Sequence, residues 1–189
     1  MRWDSLFDDL EAQFFSERAL QRESEISERA RVELAGLSVG DRLRGVGDAE
    51  FGVVLAVGLR LRGPVIHVGR DFLVILEGGF RQWLIPYASV TYYEGLGRVA
   101  RAPRSPMEGS LTLASASRGL ARDRAEVSVH VAGAGADAQS LLGVIDRVGR
   151  DHLDLAITRG EARRAGKVAA VATIPFTSLA AICSSRAGL

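Results

Sequence analysis

Hydrophobic and polar positions follow two different periods along this chain. Near the start, Trp3, Leu6, Phe7, Leu10 and Phe14 recur at three- and four-residue spacing. That spacing predicts a helix over 4–34 with an apolar stripe on its first half. Asp4 or Ser5 can cap it, Asp8 and Asp9 complement the positive end of its dipole, and Gly36 is a natural stop. From Glu17 to Arg31 the stripe gives way to charge, with Glu25 and Arg29 in the favourable i, i+4 order. The helix therefore has an apolar docking face only in its first turns. Beyond it the period changes to two. Strands are predicted near 50–58, 61–68, 71–77, 81–86 and 89–94, then near 125–132, 139–148, 151–157, 167–174 and 178–184. Gly58, Gly78-Gly79 and the Gly133–Asp137 stretch mark turns, and short helices at 37–46 and 111–120 precede each run of strands.

The two runs are copies of one unit. Val68-Gly69-Arg70-Asp71-Phe72-Leu73 recurs as Val148-Gly149-Arg150-Asp151-His152-Leu153. Ile85-Pro86-Tyr87-Ala88-Ser89-Val90 recurs as Ile174-Pro175-Phe176-Thr177-Ser178-Leu179, Gly63 matches Gly143, and Ala49-Glu50-Phe51 resembles Ala125-Glu126-Val127. Ordered matches whose offset changes only in loops indicate duplication of a supersecondary unit. The offset grows around Arg159–Gly166, where the second copy carries an insertion. Five short strands with small loops suit a small closed barrel, because closure removes sheet edges that would otherwise aggregate. The organisation read from this is an N-terminal helix over 1–36, a first barrel over 37–96, a connector over 97–109 and a second barrel over 110–189.

Composition adds little to this and charge adds one feature. At 189 residues the chain can hold one medium domain or two small ones, and the duplication favours two. A net charge of +1 gives no global field of either sign, yet the charges are segregated. Residues 1–34 hold nine acids against five arginines, and residues 98–124 hold six arginines against two acids, so an acidic start and a basic connector are expected. Lys167 is the sole lysine and asparagine is absent, a general arginine bias that lowers the chemical weight of any one arginine. The single Cys183 excludes an internal disulfide and fits a reducing compartment. No apolar run approaches the length of a membrane span and the start is not signal-like, so a cytoplasmic chain without membrane contact is expected.

A helix followed by five strands, with the run Gly63 to Leu76 and its copy Gly143 to Leu155, resembles the Sm-like small barrel. The Ile-Pro-aromatic-x-Ser-hydrophobic element is also similar to PRC-type barrels, SH3-like folds that serve as binding modules. The whole chain resembles actinobacterial proteins of unassigned role, some loosely labelled Fis-type regulators, although it carries no Fis-like C-terminal helix-turn-helix. The resemblance implies a mostly β fold with an N-terminal α-helix: two tandem small five-stranded Sm-like/SH3-like barrels, each preceded by a helix. Sm proteins contact RNA through an Asp-x-x-aromatic/Met-Asn turn and a later Arg-Gly pair. Here Gly69 and Leu73 stand at the Asp and Asn positions, and Pro86 stands where Arg-Gly would begin. The second copy departs likewise at Gly149, Leu153 and Pro175, so the uridine pocket does not carry over.

Candidate chemistry is sparse. His67, His130 and His152 fall in different strands without a partner at metal-ligand spacing and are read as barrel-face residues, so no metal is expected. Cys183 is read as a buried small residue. Asp71 and Asp151 recur because an Asp in a tight connection bonds its own backbone. No sequence motif requests an enzyme, and no catalytic or cofactor-binding residue is assigned. The leading expectation is a non-enzymatic cytoplasmic binding or scaffold protein acting through its barrels and N-terminal helix, with a protein partner or self-association. Its contact residues are Trp3, Phe7, Leu10 and Phe14 on the helix, with Trp83 and Tyr87 as an aromatic platform. The alternative is a nucleic-acid-binding regulator using Arg98, Arg101, Arg104, Arg118, Arg122 and Arg124, whose guanidinium groups would neutralise phosphates.

Overall fold

The structure is a computed structural model, and it describes residues 18, 28, 31–47, 49–132, 138–157 and 170–185. The chain divides into two units, Met1–Ser38 and Val39–Leu189. In the first, Arg18, Glu28 and residues 31–36 are helical, and Arg31 pairs with Glu28 at 3.7 Å one turn away. Trp3, Phe7, Leu10 and Phe14 lie outside the described residues, as does the insertion around Arg159–Gly166.

The second unit is mostly β and its strand pairs are all antiparallel. Helix α1 (Val39–Gly45) leads into β1 (Phe51–Leu55), β2 (Arg60–Gly63), β3 (Val65–Val68), β4 (Phe72–Glu77), β5 (Arg81–Pro86) and β6 (Val90–Glu94). After two more helices, α2 (Pro106–Ser110) and α3 (Leu113–Arg122), the second copy supplies β7 (Glu126–Ala132), β8 (Ala138–Val148), β9 (His152–Ile157), β10 (Ala170–Pro175) and β11 (Leu179–Ser185). The strands form a three-stranded sheet, β2-β1-β6, and an eight-stranded one, β10-β9-β8-β7-β11-β5-β4-β3.

The duplication extends to the irregularities. The β1–β6 ladder skips Thr91 and the β7–β11 ladder skips Ala180, its counterpart. The β3–β4 ladder skips Ile66 and the β8–β9 ladder skips Asp146, again counterparts. Gly69 N–H donates to Phe72 O and Gly149 N–H to His152 O, both at 2.9 Å. Pro86 and Pro175 each precede a 3-10 turn, where a missing donor does no harm. A Cβ on Gly63 would collide with Leu76 O and one on Gly143 with Ala156 O, so neighbouring backbone excludes any side chain at either position.

The copies differ at the second strand. Sequence patterning predicts one strand over 61–68, but Pro64 breaks it into β2 and β3, because proline has no N–H to give to a ladder. β2 then pairs with β1, and β3 with β4. In the second copy Val144 occupies the corresponding place and β8 runs unbroken, pairing with both β7 and β9. The first copy therefore divides between two sheets and the second stays within one. Closed five-stranded barrels are expected from the sequence, whereas both hydrogen-bonded ladders are open. In each copy the 3-10 turn directs the last strand to the first strand, away from the strand before it.

The copies join where β11 pairs with β5, Ile182 opposite Leu84 and Cys183 opposite Trp83. Two cores flank this junction. Leu73, Ile75, Trp83 and Ile85 point into one with Phe51 and Leu55, while Phe72 and Leu84 point into the other with Val129, Ile145, Leu153 and Ile182. β4 and β5 are thus buried on both faces, which accounts for the uninterrupted apolar run Phe72–Leu76.

The connector is more ordered than a linker. Its Ser105 Oγ accepts from Glu108 N and the Glu108 carboxylate accepts from Arg104 N, with Pro106 at the first helical position. Arg42 donates to Leu96 O and Gly97 O, and Arg101 N donates to Asp41 O at 2.8 Å. Asp71 also departs from its expected local role. Its Oδ1 accepts from Leu113 N at 2.7 Å, capping the start of α3 from another part of the chain, while Arg70 N donates to Leu111 O. Asp151 is 78% exposed and bonds the ring of adjacent His152.

Candidate binding surfaces

The aromatic residues of the first copy are divided between core and surface. Trp83 is 6% exposed; its indole Nε1 donates to Glu77 at 2.9 Å and its ring lies 5.1 Å from that of His130. Tyr87 is half-buried and donates to Gly69 O at 3.0 Å, and burial raises its phenol well above the ordinary tyrosine range. Burial also pushes Tyr93 up to about 12, with its ring stacked on Phe51. Both rings named as a platform are thus largely spent on packing, and Tyr92 is the aromatic of β6 that faces solvent.

Arg81, Trp83, Ser128, His130 and Cys183 line a groove over the junction of the copies. Burial holds the His130 imidazole below its ordinary affinity for protons and raises the Cys183 thiol. The groove thus favours neutral imidazole and thiol over the ionised pair that nucleophilic chemistry uses. Among the described residues, no three His, Cys, Asp or Glu side chains converge as a metal site.

Among the described residues four strands end the two sheets, β2 and β6 in one and β3 and β10 in the other, and of these β10 pairs only with β9 and β6 only with β1. β10 presents Ala170, Val171, Thr173 and Pro175 to solvent, with Val171 62% exposed. Their counterparts within the chain, β5 and β11, are the strands that pair at the junction.

The six arginines of the connector and α3 are all exposed, and none forms an ion pair with a described residue. They do not act as one cluster. Arg101 and Arg104 meet Arg44 and His67 at a cavity of about 470 Å³. Arg118 instead donates to Gly149 O at 3.2 Å, and Arg98, Arg122 and Arg124 are not part of the cavity lining.

Arg44 has no place among the candidates read from sequence. It sits on α1, with its side chain 10% exposed and ion-paired with Asp41 at 3.1 Å. Its Nε is buried and has no acceptor among the described residues. The available signal is the match of Arg44-Gly45 to Arg118-Gly119 within the paired helices. Gly45 is constrained because a Cβ there would collide with Val99 O, so the connector lies directly against α1. Compared with known proteins, the sequence matches no family model and no curated relative. Among the described residues no helix is long and apolar enough to cross a membrane.

Proposed function

We propose that this chain is a non-enzymatic cytoplasmic scaffold protein built from two Sm-like folds, and that its copies assemble head to tail by strand addition. The observation that carries this reading is the β5–β11 pairing between the two copies of the unit. Position for position, Leu84 and Trp83 of β5 correspond to Thr173 and Ala172 of β10, while Ile182 and Cys183 of β11 correspond to Tyr93 and Glu94 of β6. Repeating the junction between molecules sets Thr173 of one chain opposite Tyr93 of the next, and Ala172 opposite Glu94. Exposed strand edges carry unpaired backbone donors and acceptors that favour such pairing. Gly95, at φ +78°, ends β6 where the internal junction continues, so the intermolecular ladder is shorter and its association weaker. A junction of two different edges does not consume itself, and it leads to closed rings or open filaments.

Light scattering over a wide range of protein concentration tests the assembly. Mass should rise with concentration, and Val171→Lys, a charge on the exposed face of β10, should hold the chain monomeric. A monomer at every concentration, or a Val171→Lys variant that assembles like the wild type, refutes it.

The nucleic-acid reading retains support from the six exposed arginines, none of which forms an ion pair with a described residue. Six phosphate contacts would make binding to a single strand fall steeply with salt. Binding that does not change when Arg118, Arg122 and Arg124 are replaced by alanine would discard it.

A further inference from the structure

We infer that the cavity beside α1 is a binding site for a small organic phosphomonoester of about mononucleotide size. Its volume, about 470 Å³, falls within the ordinary range of small-molecule sites. Arg44, Arg101 and Arg104 line it with one carboxylate, Glu108; with Asp41, which pairs with Arg44, the groups around the space carry a net positive charge of one. A phosphomonoester carries between one and a half and two negative charges near neutral pH, and its oxygens fit guanidinium forks.

The three arginines are positioned differently. Arg44 is held by Asp41 and keeps a buried Nε–H without an acceptor among the described residues. That nitrogen has no surface open to the cavity, so Arg44 contributes its positive charge to the wall rather than a donor from Nε. Arg101 and Arg104 are exposed at their side chains but anchored at their backbones, through Asp41 O at 2.8 Å and the Glu108 carboxylate at 2.7 Å. Their guanidinium groups make no ion pair with a described residue. The site is therefore supplied by one pre-set arginine and two that can close over a ligand from fixed points.

The opposite wall suits the organic part. Ile66, the extra residue of the β3 bulge, is 46% exposed and lines the cavity beside His67, whose ring stacks on Phe72. The second copy does not repeat the arrangement. Asp146 and Arg147 stand at the positions of Ile66 and His67, and Arg118, the counterpart of Arg44, is bonded to Gly149 O. The site is thus a feature in which the copies have diverged, and it rests on the cavity alone, apart from the assembly.

The test is calorimetric titration of the full chain at low salt with AMP, ribose 5-phosphate, inorganic phosphate and adenosine. The control is the Arg101→Ala/Arg104→Ala double variant, whose exposed positions leave the core untouched; unchanged circular dichroism and melting without ligand verify that. AMP and ribose 5-phosphate should bind, adenosine should not, and inorganic phosphate should bind more weakly than either. The double variant should lose at least about tenfold in affinity, the scale of one or more charge-assisted hydrogen bonds. The inference is overturned if neither phosphomonoester binds, if inorganic phosphate binds as well as they do, or if the double variant binds equally. A single-stranded oligonucleotide that binds without being displaced by AMP also overturns it, because the arginines would then serve a polymer.

Discussion

Replacing Asp71 and Asp151 separately by alanine distinguishes a turn from a cap. The two residues occupy the same place in the repeated Val-Gly-Arg-Asp, so a purely local role predicts similar losses. Asp71 Oδ1, however, accepts from Leu113 N at 2.7 Å, and Leu113 is 4% exposed at the start of α3. Thr112 and Ser115 satisfy each other in a capping box and leave Leu113 N to Asp71. Asp71→Ala removes the side-chain acceptor and strands a donor at a buried helix start, which costs about 2 kcal/mol. For a unit of this size that is a fall in Tm of about 4–8 °C. Asp151 is 78% exposed, and the hydrogen bond from His152 holds its carboxyl below the usual range, but no helix start rests on it. Asp151→Ala should leave the urea midpoint unchanged. Asp71→Asn, which keeps an acceptor oxygen, should recover most of the loss. The assay is urea unfolding followed by circular dichroism. Equal shifts for the two alanine variants would refute the cap and restore the local turn.

Two further outcomes are expected. Gly63→Ala and Gly143→Ala should each destabilise by about 1–3 kcal/mol, because the new Cβ collides with the carbonyl oxygen of Leu76 or Ala156 and backbone must move; a variant that melts with the wild type contradicts the close approach. Burial lowers the His130 pKa from 6.5, so its neutral ring contributes stability that is complete above that value and is lost as pH falls through its folded value. His130→Gln should flatten the dependence of the urea midpoint on pH below about 6.5, and coincident profiles for variant and wild type would exclude His130 as its source.

The residues that were legible in the sequence are those whose signals are local. Alternation at Glu126–Ala132 needs only neighbouring positions to report a strand, and Pro86 and Pro175 mark strand ends through their own missing donors. Pro64 carried an equally local signal, a missing N–H, yet the apolar run around it masked the break between β2 and β3. Ser105-Pro106-Met107-Glu108 likewise spelled a helix start inside a stretch whose arginines and prolines read as linker. The site signals were weaker. Trp83 and Tyr87 stood out by type, but aromatic rings serve cores and surfaces alike, and only packing separates Trp83 from Tyr92. Arg44 is one arginine among many by sequence, and its burial beside Asp41 depends on the connector pressing against α1.

By itself, the amino-acid sequence determined that the chain is mostly β, that one unit occurs twice, and where nearly every strand lies. Those properties follow from side-chain period, turn residues and internal identity, all of which act over a few positions. Tertiary structure decided that β11 adds to β5, that Asp71 serves a helix 42 residues away, and which arginines share a cavity. Strand edges present the same backbone donors and acceptors whatever their sequence, so pairing partners are chosen by the packing of the two cores. The same indifference leaves β2, β6, β3 and β10 as terminal strands among the described residues, each with one ladder partner.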